Sequence, residues 1–277
     1  MQRLVSFILC FFVLNLSAQQ LPDPLLSSVI GGVGYSRSNY NVLGVLCNPA
    51  SVADTRYYTA GIYGERKFLL EGLQQFSGVV AIPMGSSGVG LQLDYVGSSL
   101  MNEWAIGVLY GRRLGDRMDA GVRFRYYGLN VPGYVQASAL WAEAGVTYQL
   151  SDKICAGFSF SRSTSNKIHK DEANLTQSFR MGFGYEASSR LYMMSDWIKE
   201  THKEISGSIV LLYAFEEGFR VRMGWNTSTT QPIIGVGICW LKTWIDILFA
   251  YHPHLGFTPG LQCIFSAKEK TRNHNDD

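Results

Sequence analysis

The chain has 277 residues, of which 47% are hydrophobic, 13% aromatic and only 17% charged, with 29 glycines and a formal net charge of +2. So much apolar and aromatic material excludes a disordered chain, and a charge so near balance leaves no electrostatic footprint for nucleic acid. The mean hydropathy of +0.03 excludes a bundle of membrane-spanning helices, whose apolar segments push the average far higher.

Residues 1–18 read as a secretory signal. Arg3 supplies the charged start, 4–14 the apolar run, and Leu16-Ser17-Ala18 a small-residue site that places cleavage before Gln19. The run is shorter than the ~18 residues of a helical span, so the mature chain is expected to be exported without an anchor. Residues 19–55 then follow no strand rhythm. They carry Gly31-Gly32-Val33-Gly34, Asn39-Tyr40-Asn41 and Asn48-Pro49-Ala50-Ser51-Val52-Ala53. With Leu43, Val45, Leu46 and Val52 the segment is too apolar for a free linker, and burial inside the following domain is the expectation.

Over 56–267 one form repeats. Fourteen segments alternate apolar with polar or small residues: 56–64, 72–83, 88–97, 102–114, 117–129, 137–150, 153–162, 174–187, 190–198, 204–215, 218–226, 231–241, 244–252 and 257–266. The period of two is that of a strand with unlike faces. Met118, Ala120, Val122, Phe124 and Tyr126 oppose Asp119, Gly121, Arg123, Arg125 and Tyr127; Phe219, Val221, Met223 and Trp225 oppose Arg220, Arg222, Gly224 and Asn226. Six connections are tight, Gly115-Asp116 and Ser151-Asp152 among them, and most of the seven between them are longer and more polar. A β-sandwich gives no reason for that alternation; a transmembrane antiparallel β-barrel of about fourteen strands does. An even strand count puts both termini on the periplasmic side of a bacterial outer membrane, with lipopolysaccharide and phospholipid against the apolar face. Trp104, Tyr110, Trp225, Trp240 and Tyr251 near segment ends suit the interfacial girdles. The polar tail 268–277 is expected to be disordered in the periplasm.

The face turned from lipid is rich in glycine and carries Asp94, Asp119, Arg123, Arg125, Glu143, Arg180, Glu186, Arg220, Arg222 and Asp246. Strand glycines mark close approach by another backbone, so the lumen is expected to be occupied, with residues 19–55 as the filler, a hatch. The charges then form ion pairs and hydrogen bonds that pin the hatch, in preference to a selectivity filter. No Gly-x-Ser-x-Gly elbow is present. His252-Pro253-His254 lacks a third ligand, and the mature cysteines Cys47, Cys155, Cys239 and Cys263 lack metal-ligand spacing. No catalytic residue, metal or cofactor is expected.

The Gly-rich stretch leading to Asn48-Pro49-Ala50, just before the first strand, resembles the hatch of the FadL-type outer-membrane family. That family includes long-chain fatty acid transporters and the PorV-like proteins of type IX secretion, and the resemblance implies a fourteen-stranded barrel plugged by its N-terminal segment. A closer likeness is to a group of outer-membrane proteins of Bacteroidota. It is carried by Gly61-Ile62-Tyr63-Gly64-Glu65-Arg66-Lys67-Phe68, Leu109-Tyr110-Gly111-Arg112-Arg113-Leu114-Gly115 and Tyr251-His252-Pro253-His254-Leu255-Gly256-Phe257-Thr258-Pro259-Gly260-Leu261. Short outer loops and a charged lumen depart from the fatty acid transporters. The resemblance therefore implies first a non-enzymatic accessory or cargo-handling subunit partnered with outer-membrane secretion or assembly components. The alternative is a passive transporter of small hydrophobic solutes, and an outer-membrane lipid-modifying enzyme comes last.

Overall fold

The computed structural model describes residues 33–267 except 99, 134, 166–176, 202, 217 and 228–230. The expected signal 1–18, the first part of the expected hatch (19–32) and the tail 268–277 lie outside the described residues.

Fourteen strands run in chain order: β1 (Thr59–Arg66), β2 (Gln74–Met84), β3 (Ser87–Gly97), β4 (Asn102–Arg113), β5 (Met118–Val131), β6 (Val135–Ser151), β7 (Ile154–Ser165), β8 (Gln177–Glu186), β9 (Leu191–Glu200), β10 (Ser206–Glu216), β11 (Phe219–Asn226), β12 (Gln231–Trp240), β13 (Thr243–His252) and β14 (Gly256–Ser266). Each pairs antiparallel with the next, and β1 closes on β14, from Thr59↔Ser266 to Glu65↔Gly260. Closure leaves no edge strand unpaired, which a membrane demands because lipid offers no hydrogen bonds to an open edge.

The faces follow the period of two. On β5, Asp119, Gly121, Arg123, Arg125 and Tyr127 are buried towards the lumen, while Val122, Phe124 and Tyr126 are exposed outside. The same split holds on β4 and β8. The outward side chains are large and apolar around the barrel, which is what a hydrocarbon surround requires. No helix among the described residues is long and apolar enough to cross a membrane; the crossing is made by strands. Connections of two to four residues, the start of β1 and the end of β14 share one end of the barrel, here the turn end. The other, the loop end, carries connections of up to eleven residues (166–176). Tyr110 and Trp240 lie outward near the turn end; Trp225 and Tyr251 lie outward near the loop end.

One connection departs from the sequence pattern. Val131 pairs with Val135, so β6 begins two residues before its expected start and the loop-end link shrinks to a tight hairpin. Pro132-Gly133 makes this possible, Gly133 taking a φ of +81 that few other residues tolerate.

Candidate functional site

Residues 33–55 lie inside the barrel, towards the turn end. Two short 3-10 helices organise them, Val42–Leu46 and Pro49–Asp54. Asn41 caps the first: its Oδ1 accepts the amide of Gly44 at 3.1 Å. Asn48 caps the second, accepting the amide of Ala50 at 2.9 Å, with Pro49 in the first helical position, where its missing N–H costs nothing. The Asn48 side-chain amide also donates to the carbonyls of Val146 on β6 and Phe158 on β7, at 3.1 and 3.2 Å. The Asn-Pro-Ala triplet thus starts a helical turn and keys it to the wall at once.

The wall is shaped to receive it. A Cβ at Gly145 would lie 2.2 Å from Asn48 Oδ1, one at Gly121 2.6 Å from the Pro49 carbonyl, and one at Gly182 1.9 Å from the Tyr35 ring. Gly88 and Gly111 make the same room for Val52. Tyr35 was not foreseen as a site residue, nor were Arg37 and Asp54; each contacts strands far along the chain, and no local spacing marks them.

The charged lumen residues fall into separate clusters. Near the turn end, Arg37 Nη2 meets Asp119 Oδ2 at 2.8 Å, Arg37 Nη1 donates to the Asp116 carbonyl at 2.5 Å, and Arg113 Nη2 meets Asp54 Oδ1 at 2.9 Å. Burial pushes the Asp54 carboxyl up to about 6; Asp119 beside it acts in the same direction, while Arg37 and Arg113 oppose both. Glu186 takes hydroxyls rather than a cation, accepting from Ser36 and Ser38 at 2.5 Å each. Deeper in, Arg123 pairs with Glu143 and donates to the Val45 carbonyl (3.1 Å) and Gln92 Oε1 (3.0 Å). Arg180 donates to the carbonyls of Leu46 (2.6 Å) and Cys47 (3.0 Å) and pairs with Asp196 (3.0 Å), whose other oxygen accepts from Tyr35. Two buried arginines therefore hold backbone carbonyls of the inner segment while their charge is met by strand carboxylates, the arrangement that makes a buried cation tolerable.

Arg220 instead forms a two-pronged pair with Asp246, to which Gln262 donates at 3.0 Å, and stacks 4.1 Å above the Trp244 ring. This cluster ties β11 to β13 and β14. Arg222 is buried next to it on the same face, and Arg125 lies 5.6 Å over Trp141. Asp94 accepts from Gln92 at 2.6 Å.

Cys47, Cys155, Cys239 and Cys263 are unbridged. His252 Nδ1 accepts the amides of His254 and Leu255, both at 3.2 Å, which caps the β13–β14 turn. Among the described residues no three potential metal ligands come together.

The wall itself carries a groove of about 850 Å³ across β14, β1, β2 and β3. Its outer lining is apolar, with Ile62, Phe76, Leu93, Tyr95, Ile247 and Leu261. It exists because the outward positions Gly64 and Gly78 carry no side chain. It also reaches Glu65, Ser77 and Asp94, whose side chains belong to the lumen face. The seam beside it is short. Pairing of β1 with β14 stops at Glu65↔Gly260, Pro259 has no N–H to give, and the chain turns away through Phe68 and Leu69, both left-handed at φ 56 and 58. Beyond that point the Phe68 amide donates to Thr258 Oγ1 at 3.0 Å.

No family model and no curated protein sequence matches the chain. Solved structures do. The CymD monoaromatic hydrocarbon channel aligns with a TM-score of 0.61 at 10% identity, over 86% of this chain and 98% of that one. A Pseudomonas aeruginosa FadL homologue gives 0.58 at 9%, over 87% and 98%. The Pseudomonas putida toluene transporter TodX gives 0.57 at 9%, over 84% and 96%. What the chain shares with these proteins at such low identity is their fold, a closed barrel covered end to end.

Proposed function

We propose that the chain is an outer-membrane channel for small hydrophobic or amphipathic solutes, which pass through the barrel wall rather than straight down its axis. The observation that carries this is the groove: an apolar recess open to the lipid face, lined in part by residues of the lumen face, beside the short seam of β1 and β14. An axial route is opposed by residues 33–55, which pack the turn end of the lumen against glycines that leave no gap. The fold likeness to a hydrocarbon channel and a toluene transporter supports the reading. The accessory-subunit reading implied by the PorV-like and Bacteroidota resemblance finds no such support in the comparisons.

Gly78 gives a clean test, because a Cβ there has no neighbour closer than 4.0 Å and a larger side chain projects into the groove without touching the ladder. Cells expressing the chain should take up radiolabelled ethylbenzene faster than cells without it, and Gly78→Phe should abolish the gain while the barrel still inserts. Uptake equal to that of control cells, together with a stoichiometric protein partner recovered in mild detergent, would return the chain to the accessory class.

A further inference from the structure

Charge on the lipid face of a barrel is destabilising, least so near the ends of the strands. Among the described residues, the outward positions in the loop-end half of the strands carry three charges, Arg66, Arg162 and Lys199, and no carboxylate. Arg66 is met by Glu71 at 3.6 Å. Arg162 and Lys199 are exposed, and neither has an ion pair among the described residues. Glu200, next to Lys199 in the chain, turns to the other face of β9 and is held by Lys203 at 2.6 Å.

The two cations share one patch. Gln177 opens β8 directly opposite Arg162 on β7, and Phe179, on the same outward face, is directly opposite Lys199 on β9. Arg162, Gln177 and Lys199 therefore form a row of donors across three neighbouring strands. The Lys199 ammonium gives one N–H to the Lys203 carbonyl at 2.5 Å, and its other N–H groups are available. Towards the middle of the wall the row stands over aromatic rings. Phe179 lies 5.0 Å from Phe160 and 6.3 Å from Phe158, with Trp197 exposed beside them on β9.

We infer that this patch on β7, β8 and β9 docks a membrane lipid that bears a phosphate. The phosphate sits at Arg162, Gln177 and Lys199, and an acyl chain lies along Phe160, Phe179 and Trp197. With the loop end outward, that lipid is the phosphorylated glycolipid of the outer leaflet. The complementarity is double. Arginine offers its planar fork to two phosphate oxygens, and charge-assisted bonds of this kind are the strong ones. The rings below match the apolar body of the same molecule, which a free anion lacks. Arg66 offers no equivalent, because Glu71 already meets its charge.

The test is retention of lipid A by the purified full chain in neutral detergent, read by native mass spectrometry. Lipid A stripped of its phosphates is the comparison, and inorganic phosphate is the competitor. The native chain should retain lipid A at about tenfold lower concentration than the stripped lipid, as two interfacial cations acting together predict. The double variant Arg162→Gln, Lys199→Gln should lose that preference while still migrating as a heat-modifiable barrel. Arg162→Lys with Lys199→Arg, which keeps both charges, should retain it. Arg112→Gln with Lys242→Gln, at the turn end, should retain it too. Equal retention of the two lipids by the native chain overturns the site. So does an equal loss in the turn-end variant, which would make the preference a property of overall charge. Full displacement of lipid A by inorganic phosphate also overturns it, leaving a site for free anions.

Discussion

A single methyl group has no place at Gly182. The Cβ of an alanine there would sit 1.9 to 2.0 Å from the Tyr35 ring, and that ring is held by its hydroxyl on Asp196 at 2.9 Å. Overpacking of this kind costs about 1–3 kcal/mol. Gly182→Ala should therefore loosen residues 33–55, read as faster protease nicking of the N-terminal segment in the folded barrel. Adding Tyr35→Ala should restore space, so the double variant should lose less than the sum of the single ones. That Gly182 faces the lumen was legible from the period of two on its strand. That it receives Tyr35 was not, because the two are far apart in the chain and only barrel closure brings them together. Asn48-Pro49-Ala50 shows the same division. Its position before the first strand singled it out, but its bonds to the carbonyls of Val146 and Phe158 depend on two strands that a sequence cannot place around it.

Elements were the most legible level, since alternation along a strand is a local property and the turns are marked by glycine and polar pairs. The loop between β5 and β6 was misjudged in length because Pro132-Gly133 suits a hairpin and an open loop alike. The inner segment carries the titratable element. Docked, the Asp54 carboxyl sits at about 6; released into water it returns to about 3.9. The docked form thus holds a proton more tightly. For this group, docking is strongest below about pH 4 and weakens as pH rises through 6, by on the order of 2–3 kcal/mol. Asp54→Asn cannot ionise and should flatten that response. Hydrogen exchange of the amides of 50–54 between pH 4 and 7 checks it: protection that falls with pH in the native chain and stays level in the variant is the expected pair of results.

For the whole molecule, closure predicts the behaviour of a barrel. The unheated protein should migrate on a detergent gel apart from the boiled one, and it should fractionate with the outer membrane; recovery as a soluble periplasmic monomer would contradict the fold's apolar exterior. The class of molecule was legible because two unlike faces, averaged, give a hydropathy near zero. The groove was not, because it is made by absences at Gly64 and Gly78 on neighbouring strands, and by a seam joining the first strand to the last. That seam has a consequence for assembly. Its pairing spans nearly the whole barrel in sequence, and contacts of such long range are slow to form. Every other strand pair joins neighbours in sequence and can zip early. The inner segment fits its glycine sockets too closely to be threaded into a finished cylinder. The nascent sheet therefore curls around its own N-terminal segment, and the β1–β14 junction is the last to shut.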